Sequence, residues 1–116
     1  MRHNKKKATL GREAAPRKAL FRNLAESLVL HGAINTTRAK EKALRGVVEP
    51  LVTKAKRGTL ADRRAIAEVL YTKNAGGKMM ELGKKYINRP GGYTRIISIG
   101  ARQQDGADMV RIEFVS

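Results

Sequence analysis

The sequence predicts an α+β domain in which about four helices pack on a small mixed sheet, preceded by an extended basic N-terminal arm. Three observations carry that prediction. Apolar residues recur at helical spacing from Pro16 to Tyr86, and the period becomes two after the break at Arg89-Pro90-Gly91-Gly92. The first twenty-two residues hold eight Lys or Arg side chains against one carboxylate, and offer almost nothing to bury before Pro16. The expected organisation is an arm at residues 1–15 and one globular domain at residues 16–116.

A segment composed like the arm cannot offset its ordering entropy by apolar burial, so it needs a polyanion to order against. Fifteen extended residues reach about 50 Å, well beyond a body of this size. Nucleic acid phosphate is the partner class to which such a charge points.

In the first helix, Phe21, Leu24, Ala25 and Leu28 form one apolar stripe. Pro16 suits a first helical position and Gly32 the residue just past the end. Arg17, Lys18 and Arg22 lie near its start, against the sign the helix dipole prefers, a placement that an external anion would neutralise. Ala33–Thr37 reads as a brief strand or extended link with Ile34 inward. Thr37 then caps a second helix, whose apolar face runs through Ala43, Leu44, Val47, Val48, Leu51, Val52 and Ala55 to Gly58. Pro50 within it predicts a kink near Gly46–Pro50.

Thr59 and Asp62 form a capping-box pattern ahead of a third helix that buries Ala65, Ile66, Val69 and Leu70. Asn74–Gly77 is expected to interrupt it before a short helix through Met79, Met80, Leu82 and Tyr86. Two strands close the chain. In the first, Ile97 and Ile99 alternate with Ile96 and Ser98; in the second, Val110, Ile112 and Phe114 alternate with Arg111, Glu113 and Val115. The polar loop Arg102–Asp108 joins them as an antiparallel hairpin that needs helices over its apolar face.

Net charge is +15, and it is uneven: residues 1–64 hold 17 of the 25 basic and five of the ten acidic side chains. The N-terminal half is therefore the expected binding side. Cysteine is absent, which removes disulfides, thiolate metal sites and thiol nucleophiles together. No apolar run approaches the ~20 residues of a membrane span. The basic N-terminus lacks the apolar stretch of a secretory signal and the amphipathic period of a transit peptide.

Catalysis finds little support. The histidines are His3 and His31 and the serines Ser27, Ser98 and Ser116, none in an arrangement that makes a base, a nucleophile or a metal ligand. Asp105 and Asp108 suit a turn. No catalytic residue, cofactor, metal or small-molecule substrate is expected.

Nucleic acid binding is better supported. Arg38 and Lys40 open the second helix beside the basic first one, while Lys42 and Arg45 stand between a phosphate contact and a solvated ion pair with Glu41. Lys54, Lys56, Arg57, Arg63 and Arg64 make either a second phosphate patch or a wet surface. After the diglycine break, Tyr93 offers a stacking face and Arg95 a fork for phosphate. Aromatics are only 4% of the chain, so a base-stacking sheet of the RRM or OB type is not expected, and phosphate and shape should dominate binding. Composition leaves RNA and DNA equally open.

Several segments, in their order and spacing, narrow the choice. They are Met1-Arg2-His3, Leu10-Gly11-Arg12, Arg17-Lys18-Ala19-Leu20-Phe21-Arg22-Asn23-Leu24, Ile34-Asn35-Thr36-Thr37, Ala39-Lys40-Glu41, Val47-Val48-Glu49-Pro50-Leu51 and Gly91-Gly92-Tyr93-Thr94-Arg95-Ile96. Through them the chain resembles, over essentially its full length, the family of bacterial large-subunit ribosomal protein seventeen. The resemblance implies helices on a small mixed sheet and a structural role in binding large-subunit rRNA, toward the side where the peptide exit tunnel opens. It implies no catalysis and no cofactor. The partners implied are that rRNA and neighbouring large-subunit proteins, with the chain a monomer in the cytoplasmic ribosome and no membrane involved.

Matched residue by residue, the implied RNA contacts are Arg2, His3, Arg12, Arg17, Lys18, Arg22, Arg38, Lys40, Tyr93 and Arg95. Asn4 stands where a basic residue is common, and Lys5, Lys6 and Lys7 supply charge beside it. Ala14-Ala15-Pro16 replaces the frequent Ser-Ser-His, so a hydroxyl cap and an imidazole are missing there.

Overall fold

The computed structural model describes residues 14–116. Residues 1–13, most of the expected arm, lie outside the described residues. The elements are α1 (Ala14–His31), β1 (Ala33–Thr37), α2 (Arg38–Arg57), α3 (Leu60–Val69), α4 (Lys73–Lys85), β2 (Thr94–Ala101) and β3 (Asp108–Phe114). The fold is α+β: among the described residues there are four helices and a three-stranded sheet, with α1 and α2 packed on the strands.

α1 begins at Ala14, two residues before the expected start. Pro16 consequently sits inside the first turn, where a missing N–H forfeits no intrahelical bond. Gly32 ends the helix as expected: at φ +82° it turns left-handed, and its N–H donates to the Leu28 carbonyl at 2.7 Å. Thr37 caps α2, accepting from the Lys40 N–H at 3.3 Å.

α2 runs unbroken through Pro50. Gly46 and Pro50 are both exposed, so the carbonyl that loses its partner there is open to water. The Thr59–Asp62 capping box forms with both of its bonds. The expected interruption at Asn74–Gly77 is corrected: these residues belong to the first turns of α4, and the break falls at Leu70–Thr72. The Thr72 hydroxyl accepts from the Ala75 N–H at 3.2 Å, and burial of Ala75 and Met79 offsets the poor helix propensity of Gly76 and Gly77.

The sheet order is β1-β3-β2 and both pairings are antiparallel. The expected mixed sheet is therefore corrected. β1 and β2 do run parallel, but β3 lies between them, and only direct β1–β2 pairing would have made a parallel ladder. Register places Ile34, Ile112 and Ile96 in one row and Thr36, Val110 and Ser98 in the next, on the face under the helices. A bulge at Ser98–Gly100 inserts Ile99.

α2 is the axle of the molecule. It touches α1, α3, α4, β1 and β3, and buries Leu44, Val48, Leu51, Val52 and Ala55 against Ala25, Leu28, Ile66, Met79 and Ile112. Its approach to α4 is close. A Cβ placed at Gly83 would lie 2.6 Å from the carbonyl carbon of Ala55.

Candidate nucleic-acid interface

Seven expected contacts can be placed, and they fall into three separate regions. Arg2, His3, Lys5, Lys6, Lys7 and Arg12 lie outside the described residues. On α1, Lys18 and Arg22 share one row, a turn apart, with Arg17 beside them. Lys18 is exposed, and the Arg22 guanidinium lies 4.5 Å from the centroid of the Tyr71 ring. The exposed residue Tyr71 stands in the link between α3 and α4. Its neighbour Thr72 is pinned to α1, because the Thr72 N–H donates to the Glu26 carboxylate at 3.1 Å.

The second region is the start of α2. The Arg38 Nε donates to Asp108, the first residue of β3, at 2.6 Å, in a pair half exposed on both sides. Such a pair is worth little in water and leaves the outer guanidinium nitrogens available. Among the described residues Lys40 makes no ion pair, nor does the exposed Lys42. Arg45 pairs with Glu41 at 3.4 Å, yet Glu41 is only 2% exposed and its Oε2 accepts no hydrogen bond. The solvated pair considered from sequence is thus half buried.

Arg95 occupies the outer sheet face, opposite Glu113 in the register. The Glu113 carboxylate accepts from the Nε of Arg95 and from that of Arg111, the latter at 2.9 Å. The Arg111 guanidinium, and then that of Arg95, hold the Glu113 carboxyl below the usual carboxylate range. Arg38 and Arg95 sit at opposite ends of the sheet, because Thr37 faces Met109 and Ala33 faces Glu113. They do not form one cluster.

Tyr93 requires a correction. Its ring is 1% exposed and packs against Tyr86 with centroids 5.4 Å apart, so it presents no stacking face. The Lys56 ammonium donates to its hydroxyl at 3.0 Å and to the Arg89 carbonyl. That ammonium holds the phenol below its ordinary value, with a further contribution from Thr53. Glu49 completes the anchor. Its carboxylate accepts from the Tyr93 N–H at 3.3 Å, from the Thr94 N–H at 3.0 Å and from the Thr94 hydroxyl at 2.7 Å. The diglycine segment therefore delivers a half-buried clamp between α2 and the start of β2.

The basic cluster around the α2–α3 link divides the same way. Lys56 serves the Tyr93 anchor, and Arg57 forks onto Asp62 at 2.8 and 3.2 Å. The Arg57 guanidinium, followed by the Thr59 hydroxyl, keeps the Asp62 carboxyl well below the usual carboxylate range. Lys54, Arg63 and Arg64 make no ion pair among the described residues. Sequence reasoning placed Lys56 in the basic cluster and Glu49 in a matching segment but not in the Tyr93 anchor, and it did not single out Tyr71, because each of these contacts joins residues distant in the chain.

Among the described residues no three His, Asp or Glu side chains gather where they could hold a metal, and no helix is long and apolar enough to cross a membrane. His31 is exposed at the end of α1.

Comparison with known proteins supplies the context for these patches. The chain is 50% identical to a protein of Gemmatimonas aurantiaca described as large ribosomal subunit protein bL17, in an alignment covering 99% of this chain and 98% of that one. The family model for ribosomal protein L17 matches residues 20–115, which span every described element except the first turns of α1. The chain belongs to the ribosomal protein L17 family.

Proposed function

We propose that this chain is a structural constituent of the large ribosomal subunit that binds large-subunit rRNA by neutralising phosphate. The N-terminal segment, residues 1–15, supplies Arg2, His3, Lys5, Lys6, Lys7 and Arg12. The starts of α1 and α2 supply Arg17, Lys18, Arg22, Arg38 and Lys40, and the outer sheet face supplies Arg95. The folded body, which begins with α1 at Ala14, carries the groups beyond that segment.

One observation carries the reading beyond family membership: the division of labour among the cations. Lys56 and Arg57 are spent on internal anchors, and Arg95 and Arg111 share a single carboxylate. Lys18, Lys40, Lys42, Lys54, Arg63 and Arg64 make no ion pair among the described residues, an excess that folding alone does not need. Lys18 and Lys40 sit near helix N-termini, where a cation opposes the helix dipole and an RNA phosphate would relieve it.

Phosphates approaching from several sides replace the missing counter-charge, so the protein acts as a fixed polycation that holds folded rRNA segments together. It does so as a monomer among neighbouring large-subunit proteins in the bacterial cytoplasm, without catalysis. Sedimentation of a cell lysate tests this reading. The chain should travel with large subunits, and recovery free in the supernatant or with the nucleoid would overturn it.

A further inference from the structure

The three tyrosines of the chain have different fates. Tyr86 and Tyr93 are 3% and 1% exposed, whereas Tyr71 is 63% exposed. An aromatic ring left in water by a domain so poor in aromatics needs an account. The surroundings of Tyr71 supply one.

The ring is covered from one side, and the backbone beside it is anchored. On one side the Arg22 guanidinium covers it at 4.5 Å, a cation–π contact. On the other, the next residue is fixed twice: the Thr72 N–H to Glu26 at 3.1 Å, and the Thr72 hydroxyl to the Ala75 N–H at 3.2 Å. Arg22 and Glu26 are a turn apart on α1, so one helix row supplies both the cover and the anchor. With Arg22 over one face, the exposure of Tyr71 belongs to its other face and its edge. Lys18 extends the same row by another turn, and Lys73 follows Thr72, both exposed and without an ion pair among the described residues. The result is a flat aromatic surface, oriented in advance and flanked by cations.

We propose that Tyr71 is a stacking site for an unpaired base of RNA, with Arg22 behind the ring and Lys18 and Lys73 placed for the phosphates on either side of that nucleotide. The assignment rests on the reading of the chain as an rRNA-binding protein and adds to it a base contact besides the phosphate contacts. An unpaired nucleotide offers what this surface takes: a π-face for the ring and a phosphate for each flank. Apolar protein partners fit less well, since the ring stands among cations. Orienting the ring beforehand lowers the ordering cost of the contact.

The test uses the full chain and transcribed large-subunit rRNA. Tyr71→Ala should weaken binding by about tenfold or more, and Tyr71→Phe, which keeps the ring, should stay within about twofold. The slope of log affinity against log salt should be unchanged in Tyr71→Ala, because no phosphate contact is lost. The chain has no Trp, so Tyr71→Trp is a single reporter, and its emission should be quenched as the RNA saturates. That reporter decides alone if Tyr71→Ala fails to fold. Binding by the wild-type chain with an unquenched reporter, or with Tyr71→Ala within twofold, overturns the stacking site and leaves the rRNA reading standing. If the wild-type chain binds no rRNA at all, the rRNA reading falls first and the site with it.

Discussion

Tyr71 and Tyr93 are the same side chain in opposite employment, and nothing within a few residues of either separates them. Tyr93 follows two glycines and precedes an arginine, a context that suggests an RNA contact, yet its ring belongs to the core. The reason lies far off in the sequence: Glu49 and Lys56, a turn or two apart on α2, hold its backbone and its hydroxyl. Tyr93→Ala should therefore cost about 3–5 kcal/mol of folding stability in a denaturant titration, as removal of a buried aromatic does. A variant that kept wild-type stability while losing rRNA affinity would restore Tyr93 to the interface. Arg57 and Asp62 tell a similar story, in which a cation that composition leaves between a phosphate patch and a wet surface is committed to a helix cap.

At the scale of the element, what is local was legible and what is tertiary was not. The caps at Thr37 and Thr59 and the left-handed stop at Gly32 depend on residues within a single turn, and each forms as the sequence predicts. The start of α4 depends on burial of Ala75 and Met79, which local propensity cannot register, so two glycines look like a break. The sheet was misread for the same reason, since which strand lies in the middle is settled by packing. Gly83 makes a clean trial of this distinction. Helix propensity alone favours alanine there by up to ~1 kcal/mol. A Cβ at Gly83, however, would lie 2.6–2.8 Å from the backbone and Cβ of Ala55. Gly83→Ala should lower stability by about 1–3 kcal/mol in urea unfolding, and a neutral or stabilising result would contradict the α2–α4 approach described above.

Over the whole molecule, charge was the most legible property, because it is additive and needs no fold to be counted. The chain carries +15, and most of the excess lies in its first 64 residues. The folded body sharpens that sum by showing which cations are committed. Of the others, Lys18 and Lys40 stand near the starts of α1 and α2, and Lys54, Arg63 and Arg64 around the α2–α3 link. The matched family extends over nearly all of the body that carries them. α2 closes the core, and the proposed phosphate mechanism rests on the charge that the core does not use. The most direct trial is the salt dependence of binding to transcribed large-subunit rRNA, for the full chain and for one lacking residues 1–15. Log affinity should fall by about 0.7–0.9 per phosphate contact for each log unit of salt. The truncated chain should fold with the same thermal midpoint but show a visibly shallower slope. A near-flat salt response of the full chain, or the same slope with and without residues 1–15, would contradict the phosphate mechanism.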